Sequence, residues 1–227
     1  MANPAGLGYT ENTDPDCLAD DVAVEMLRAA PWRRIALVGD STAHGAGDAS
    51  PGYRTVYWAP RVIAVLRAAV GDVEFLNVGR INATTRQVAD EQLDAAVAFE
   101  PDLLYIACGG NDLWVDQPDY AAAEDNLERT FAGGAKIGAR LATMTIADAV
   151  PPGVPELAPF RERLDLINQV IRRVAERHDA ILVDLWWHPV GHRPNVLSAD
   201  NIHFNISGHA VVAAEVIKAL AAAADHG

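Results

Sequence analysis

The chain has 227 residues and a hydrophobic fraction of 50%, so it can bury a sizeable core and is not disordered by composition. Its formal net charge of −13 at pH 7 argues against nucleic acid and anionic membrane surfaces as partners, because both bind basic surfaces. The N-terminal residues lack the basic and apolar regions of a signal peptide, and no apolar run approaches the roughly 18 residues of a membrane span. We therefore expect a cytoplasmic protein without stable membrane insertion, whose oligomeric state the composition leaves open.

The two cysteines do not indicate a disulfide framework. Cys17 lies in an acidic N-terminal segment and Cys108 ends an apolar run, and no spacing pairs them. We expect Cys108 to be a small core residue.

Hydrophobic patterning predicts strands and helices that alternate after an N-terminal arm. Residues 1–16, rich in Gly, Pro, Asn, Thr and Asp, are expected to form a loose arm, with a short helix following at about residues 18–29. Apolar runs bounded by turn residues predict strands at residues 35–38, 73–78, 102–108, 141–146 and 180–183. Apolar spacing predicts helices at residues 53–69, 85–99, 120–139, 160–178 and 206–224.

Two of the predicted helices contain residues that disfavour helical structure. Pro60 predicts a break or a late start in the first of them, and Gly133-Gly134 predicts a weak point in the third. The loops are expected at residues 42–52, 148–159 and 184–205.

This alternation predicts right-handed crossovers and a parallel sheet with helices on both faces. The expected fold class is therefore α/β, a three-layer α/β/α sandwich of the flavodoxin-like kind with a five-stranded parallel sheet. We expect one domain over residues 31–227, preceded by an N-terminal arm and short helix over residues 1–30.

Polar clusters follow the first three predicted strands, and a fourth cluster precedes the last helix. They are Gly39-Asp40-Ser41, Asn77-Val78-Gly79-Arg80-Ile81-Asn82, Gly109-Gly110-Asn111-Asp112 and Asp200-Asn201-Ile202-His203. Ligands of open α/β sheets bind beyond the carboxyl ends of the strands, so these clusters are expected to converge at one edge. Each cluster alone is ordinary turn chemistry, but their convergence favours a functional site.

The residue types in these clusters suit acyl transfer. A serine nucleophile needs a base to take its proton, an acid to orient that base, and donors for the oxyanion. Ser41 can be the nucleophile and His203 the base, with Asp200 reaching the far imidazole nitrogen if the segment turns once. The Asn111 side-chain amide can be one oxyanion donor, and backbone N–H groups of Ser41 and of the turn after the second strand can be others.

The sequence resembles the SGNH hydrolases, also called the GDSL esterase/lipase family, over about residues 34–224. The four clusters occur in the family's order and at the expected ends of elements. The resemblance implies Ser41 as nucleophile, His203 as base and Asp200 as the group that orients it. It also implies an oxyanion hole formed by the Ser41 N–H, Asn111 and a backbone N–H of the turn after the second strand, and it implies no cofactor.

The chain departs from the family's pattern at two positions. Thr42 stands where many members have leucine, which we consider minor. The turn after the second strand usually reads Asn-x-Gly-x-x-Gly, but Asn82 replaces the second glycine. Because asparagine tolerates left-handed backbone, we expect the Asn82 N–H to remain the donor, with Gly79 as the fallback. The Gly-x-Ser-x-Gly motif of α/β-hydrolases is absent, since Ala43 occupies its last position.

Several residues near these clusters have simpler interpretations. Asp200 and His203 alone are typical of a cap on the last helix. His188 and His192 do not form a metal site, because Pro and Gly between them prevent a helical pair and no carboxylate completes a ligand set.

The remaining aromatic and histidine side chains are expected to be structural or solvated. Trp186 and Trp187 are expected to pack the long loop rather than bind sugar, although one of them could wall the substrate site. We expect His44 to be a solvated loop residue rather than a substrate contact, and His209 to be structural.

The sequence therefore predicts a serine hydrolase that cleaves a small-molecule carboxylic ester without a metal or another cofactor. A thioesterase or a carbohydrate deacetylase of the same fold is an alternative. A non-catalytic flavodoxin-like module that binds a small molecule is a further one. Neither acyl-chain length nor the alcohol group follows from the sequence.

Overall fold

The computed structural model describes residues 8–150 and 154–225, and the chain forms two compact units. The first unit consists of Met1–Pro31, Gly45–Asp72 and His188–Gly227. The second unit consists of Trp32–His44 and Val73–Trp187. The boundary expected between residues 30 and 31 remains a prediction. Parts of two predicted segments, residues 1–7 of the arm and 151–153 of the loop before the fourth long helix, lie outside the described residues.

The second unit contains a five-stranded parallel sheet. Its strands are β1 (Arg34–Gly39), β2 (Glu74–Asn77), β3 (Leu103–Ala107), β4 (Arg140–Met144) and β5 (Ile181–Val183). Their order is β2-β1-β3-β4-β5, with Ile35 of β1 opposite Phe75 on one side and Leu103 on the other. This is the flavodoxin-like strand order. The predicted α/β class and five-stranded parallel sheet are confirmed.

The α-helices alternate with the strands. In chain order they are α1 (Asp20–Met26), α2 (Ser41–His44), α3 (Trp58–Val70), α4 (Thr85–Glu91), α5 (Leu93–Ala98), α6 (Tyr120–Lys136), α7 (Ala158–Arg177) and α8 (Ile206–Ala224). Short 3₁₀ turns lie at Gly110–Leu113, Pro155–Leu157 and Pro189–His192. The core of the second unit joins the central strands to α6 and α7 through buried residues such as Leu104, Phe131 and Ile167.

The helix predicted over residues 85–99 is wrong in one respect, because the chain breaks it at Gln92 into α4 and α5. The buried Gln92 amide accepts a hydrogen bond from the Gly39 N–H (2.8 Å) and donates one to the Gly39 carbonyl (2.9 Å). Gln92 therefore satisfies both backbone groups of the last residue of β1. The break thus lies at a residue whose side chain is bound to the end of β1.

The weak point predicted at Gly133-Gly134 is also wrong, because α6 is continuous through both glycines. A Cβ at Gly134 would lie 2.6 Å from Leu104 Cδ2 of β3 and 2.8 Å from Leu141 Cδ2 of β4. The missing side chain therefore lets the helix approach the sheet closely.

The first unit packs α1, α3 and α8 against one another. α3 begins at Trp58 with Pro60 in its first turn, which confirms the late start, since proline is tolerated where a helix leaves N–H groups unpaired. An 18-residue window of α8 is long and apolar enough to span a membrane, with a mean hydropathy of 1.5, but 72% of that window is buried, as in a core helix of a soluble protein. This is weak support for a membrane span, and the cytoplasmic location remains a prediction.

The loose arm predicted over residues 1–16 is wrong for its described part. Glu11 accepts hydrogen bonds from Arg54 Nε (2.8 Å) and Arg61 Nη1 (2.5 Å), and Asp14 from Tyr53 Oη (2.7 Å) and Arg193 Nη2 (2.8 Å). Burial raises the pKa of Glu11 and Asp14, but the arginine partners outweigh it and lower both pKa values to about 2. Residues 10–14 are therefore held by ion pairs.

Candidate active site

Ser41 is the first residue of α2, directly beyond the carboxyl end of β1, and is 8% exposed. Asp40 shapes the turn before it: its N–H donates to the Ala107 carbonyl (3.0 Å), and its Oδ1 accepts the Thr42 N–H (2.8 Å). Gly39 is required at this point, because a Cβ there would lie 2.0 Å from the Ala107 carbonyl oxygen. The Gly-Asp-Ser motif thus forms a tight strand-to-helix turn that presents Ser41 at the sheet edge.

The turn after β2 is attached to the end of α2. Asn77 Nδ2 donates to the Ala43 carbonyl (2.7 Å), and Asn77 Oδ1 accepts the Gly79 N–H (2.9 Å). His44 is exposed as expected, but it is the last residue of α2 rather than a loop residue, and its Nδ1 lies 3.2 Å from the Gly79 carbonyl oxygen. Because the Gly79 N–H already has a partner, the fallback oxyanion donor is engaged.

Asn82 has φ 63°, the left-handed conformation expected when asparagine replaces glycine. The chain turns at this point, and the Ala83 N–H donates to the Arg80 carbonyl (3.1 Å). Asn111, in the 3₁₀ turn after β3, donates from Nδ2 to the Ala83 carbonyl (3.0 Å). This bond orients the Asn111 amide, which carries a second N–H.

Asp112 supports this arrangement, although its place in the Gly109–Asp112 cluster predicted no separate role for it. Its carboxylate accepts the Thr85 N–H (2.9 Å) and the Thr85 hydroxyl (2.7 Å). Burial raises the pKa of Asp112, and the bonds from Thr85 oppose that rise. Asp112 therefore links the turn after β3 to the first residue of α4.

Asp200 and His203 lie together in the first unit. His203 Nδ1 is 2.6 Å from Asp200 Oδ2, and Asp200 Oδ1 accepts the Ile202 N–H (2.9 Å) and the His203 N–H (3.0 Å). Partial burial raises the pKa of Asp200, but these hydrogen bonds outweigh it and lower the pKa to about 2. An ionised carboxylate thus faces the imidazole Nδ1 at neutral pH, and the one-turn geometry expected of this segment is present.

The alternative in which Asp200 and His203 cap the last helix is wrong. The N-cap of α8 is Asn205, whose Oδ1 accepts the Ser207 N–H (3.0 Å) and the Gly208 N–H (3.4 Å). The Asp200–His203 turn is thus separate from the helix cap. Within the second unit, the predicted site residues follow the ends of three strands, as the clusters predicted: Ser41 follows β1, Gly79 and Asn82 follow β2, and Asn111 follows β3.

The sequence profile of the GDSL-like Lipase/Acylhydrolase family matches residues 37–211, which is most of the chain. The chain belongs to this family. The resemblance to SGNH hydrolases is thereby confirmed, and this GDSL-like protein is an enzyme that hydrolyses ester bonds. Comparison with curated proteins gave no significant match.

Solved structures of low sequence identity share the fold of this GDSL-like enzyme. Axe2, an acetylxylan esterase from Geobacillus stearothermophilus, aligns with a TM-score of 0.69 at 20% identity over 83% of this chain and 94% of its own. LAE5, an alpha/beta hydrolase enzyme from the metagenome of Lake Arreo in Spain, aligns with a TM-score of 0.66 at 24% identity over the same shares. These likenesses support the α/β architecture.

The other histidines of this GDSL-like enzyme make local contacts. His209 on α8 is buried, its Nε2 lies 2.8 Å from the Ala46 carbonyl oxygen, and burial lowers its pKa to about 4, so it is structural as expected. His188 accepts the Val190 N–H at Nδ1 (3.1 Å). Within the described ranges no group of three or more metal-ligating side chains occurs, and the absence of a metal remains a prediction.

The two tryptophans of the long loop differ. Trp186 is buried and lies under the Arg161 guanidinium (5.1 Å), so the packing interpretation is confirmed for it. Trp187 is 75% exposed, so that interpretation is wrong for Trp187. Cys108 is buried in the core as predicted, and burial raises the pKa of its thiol.

Proposed function

We propose that this enzyme cleaves carboxylic esters through an acyl-enzyme on Ser41, with His203 as general base and Asp200 orienting it. The observation that carries the proposal is the 2.6 Å contact between His203 Nδ1 and the Asp200 carboxylate. The pKa of this carboxyl is lowered to about 2, so it is ionised at neutral pH. A carboxylate at Nδ1 stabilises the tautomer with hydrogen on Nδ1, which leaves Nε2 free of hydrogen and able to accept a proton.

In this mechanism the Ser41 Oγ attacks the acyl carbon while its proton moves to His203 Nε2. The tetrahedral intermediate collapses as Nε2 returns the proton to the leaving alcohol, and the acyl group stays on Ser41. Water then attacks the acyl carbon while its proton moves to His203 Nε2. When the second tetrahedral intermediate collapses, the bond to Ser41 Oγ breaks and Nε2 gives its proton to that oxygen, which releases the acid and restores Ser41. Asp200 stays ionised throughout and stabilises the imidazolium. No cofactor takes part.

The proposed oxyanion donors are the N–H groups of Ser41 and Asn82 and the Asn111 Nδ2. Asn82 is preferred to Gly79, because the Gly79 N–H already donates to Asn77. The left-handed backbone of Asn82 supports this choice, since it is the conformation that a glycine would supply. The bond from Asn111 to the Ala83 carbonyl fixes the amide in advance, and preorganised donors are the effective ones.

A carbohydrate deacetylase is the second candidate function. The exposed rings of Trp187 (75%) and Trp114 (57%) favour it, because amphipathic rings offer apolar faces to a ligand. The acetylxylan esterase Axe2 has the same fold. A thioesterase remains an alternative that no residue favours. Because the chain is an ester-hydrolysing enzyme, the non-catalytic module is not retained.

The test is hydrolysis of p-nitrophenyl esters from acetate to palmitate, together with acetate release from acetylated xylooligosaccharides, by wild type and His203→Ala. We expect turnover of at least one ester class and its loss by about a thousandfold or more in His203→Ala. Preference for acetate esters would support the deacetylase, and preference for long acyl chains a lipase. Turnover that survives in His203→Ala would contradict the proposed mechanism.

A further inference from the structure

The turn that carries the proposed acid and base projects into solvent. The Asp200 side chain is 46% exposed and Ile202 is 55% exposed. Inside the turn, the Ser198 N–H donates to the His203 carbonyl (2.7 Å) and the Asn201 N–H to the Ser198 carbonyl (2.9 Å). These bonds close the turn on itself, but they do not fix its orientation relative to the rest of the first unit.

Asp48 makes contacts that contribute to this orientation, beside the Leu197–Phe204 bridge and the bond from the Asn205 N–H to the Val196 carbonyl (2.8 Å). Its Oδ2 accepts the Ala199 N–H (2.8 Å), and its own N–H donates to Ser198 Oγ (2.9 Å). Its carbonyl accepts the Ile206 N–H (2.9 Å), which belongs to the first residue of α8. One residue thus binds the chain on both sides of the Asp200–His203 pair.

The segment around Asp48, residues 46–48, is itself held firmly. The Ala46 carbonyl lies 2.8 Å from Nε2 of the buried His209, which donates to it from α8. Gly47 has φ 152°, and a Cβ there would lie 2.1 Å from the Phe204 carbonyl oxygen, so only glycine fits. Residues 46–48 therefore lie tightly against α8 and against Phe204, which follows the turn.

We propose that Asp48 is a positioning residue of the reaction, which holds the Asp200 carboxylate in register with His203 through the Ala199 N–H. The proposal rests on the proposed function. Asp48 is exposed, so its removal leaves no cavity in the core. Its effect passes through the backbone next to Asp200, and a misplacement of about 1 Å at such a site is costly for catalysis.

The test compares Asp48→Ala and Asp48→Asn with wild type on the best p-nitrophenyl ester. In Asp48→Ala we expect kcat to fall by about tenfold to a hundredfold with KM unchanged, because substrate contacts are intact. Asp48→Asn keeps an oxygen that accepts the Ala199 N–H, and we expect it to retain most of the wild-type kcat. A lower kcat in both variants alike, or a higher KM with kcat unchanged, would overturn the proposal.

Asp119→Ala is the matched control. Asp119 is also an exposed acid whose Oδ1 accepts a backbone N–H, that of Ala122 (2.9 Å), but it caps α6 in the second unit. We expect Asp119→Ala to keep the wild-type kcat although it loses a similar bond. An equal loss of kcat in Asp119→Ala would mean that loss of any bond from a backbone N–H to an exposed carboxylate lowers activity. That result would overturn the specific role of Asp48.

A second measurement covers the case in which Asp48→Ala does not fold. Ser198→Ala removes only the bond to the Asp48 N–H, and we expect a smaller fall in kcat in the same direction. The low-field NMR signal of the proton between His203 and Asp200, assigned by its loss in His203→Ala, should broaden in Ser198→Ala to the extent that kcat falls and should persist in Asp48→Asn. Unchanged kcat and signal in Ser198→Ala would overturn the proposal, whereas wild-type turnover that survives in His203→Ala would overturn the proposed function instead.

Discussion

Asn82 shows how one residue can replace a glycine in the proposed oxyanion hole. Its φ of 63° is a conformation that costs most residues about 1–2 kcal/mol, but less for asparagine, whose side chain can bond locally. The backbone N–H can therefore point where the family's glycine N–H would point.

We predict that Asn82→Gly keeps wild-type turnover and that Asn82→Ala lowers kcat. Alanine at this φ is strained, so the backbone shifts and moves the proposed donor; loss of one such donor costs about a hundredfold in kcat. The measurements are kcat on the preferred ester and the urea midpoint of unfolding.

Asn195→Ala is the control for backbone strain outside the proposed oxyanion hole, because Asn195 has a similar φ of 56° but is not a proposed donor. It should lose stability without a comparable loss of kcat. If Asn82→Ala kept the wild-type kcat, Asn82 would not be the donor.

At the residue scale, the sequence predicted groups that lie in short local motifs. Ser41 comes directly after the turn that ends its strand. Asp200 and His203 are three positions apart, so their contact can be predicted from the local sequence. Asp48 could not be found in this way, because its partners Ser198 and Ala199 are 150 and 151 positions away. No local pattern encodes such a contact.

At the element scale, the apolar runs of β1 and β3 were predictable because both strands are buried along their length. The break at Gln92 was not predictable, because it coincides with hydrogen bonds between the Gln92 side chain and the backbone of Gly39, which is 53 positions away. Gly133-Gly134 misled for a related reason: a glycine in a helix weakens it by itself, but at Gly134 it permits contact with Leu104. Local propensity predicts elements, and tertiary contacts decide their interruptions.

At the scale of the first unit, ion pairs replace the expected loose arm. Glu11 pairs with Arg61, which is 50 positions away, and Asp14 with Arg193, which is 179 positions away. Both acids have pKa values lowered to about 2, so folding favours their ionised forms. Composition alone predicted a loose arm here, since the arginines that hold this segment are remote in sequence.

We predict that the free energy of unfolding falls as the pH decreases from about 6.5, the ordinary value for histidine, towards 4, because burial lowers the pKa of His209 to about 4. In that window His209 binds a proton more tightly in the unfolded state than in the folded state. This difference lowers the free energy of unfolding by up to about 3 kcal/mol. A further loss should follow towards a pH of about 2, as Glu11 and Asp14 become protonated.

Urea unfolding at about pH 7 and about pH 4.5, for wild type and His209→Gln, measures the first effect. The difference between the two pH values should be smaller in His209→Gln, which has no proton to bind. An equal difference in both proteins would contradict the assignment to His209.

The most direct measurement of the proposed mechanism is labelling by a fluorophosphonate, which reacts with activated serines, followed by mass spectrometry of the labelled peptide. We expect the label on Ser41 in wild type, no label in Ser41→Ala, and ester turnover lost with the label while the circular dichroism spectrum is unchanged. A label on another serine, or wild-type turnover in Ser41→Ala, would contradict the assignment of Ser41 as the nucleophile.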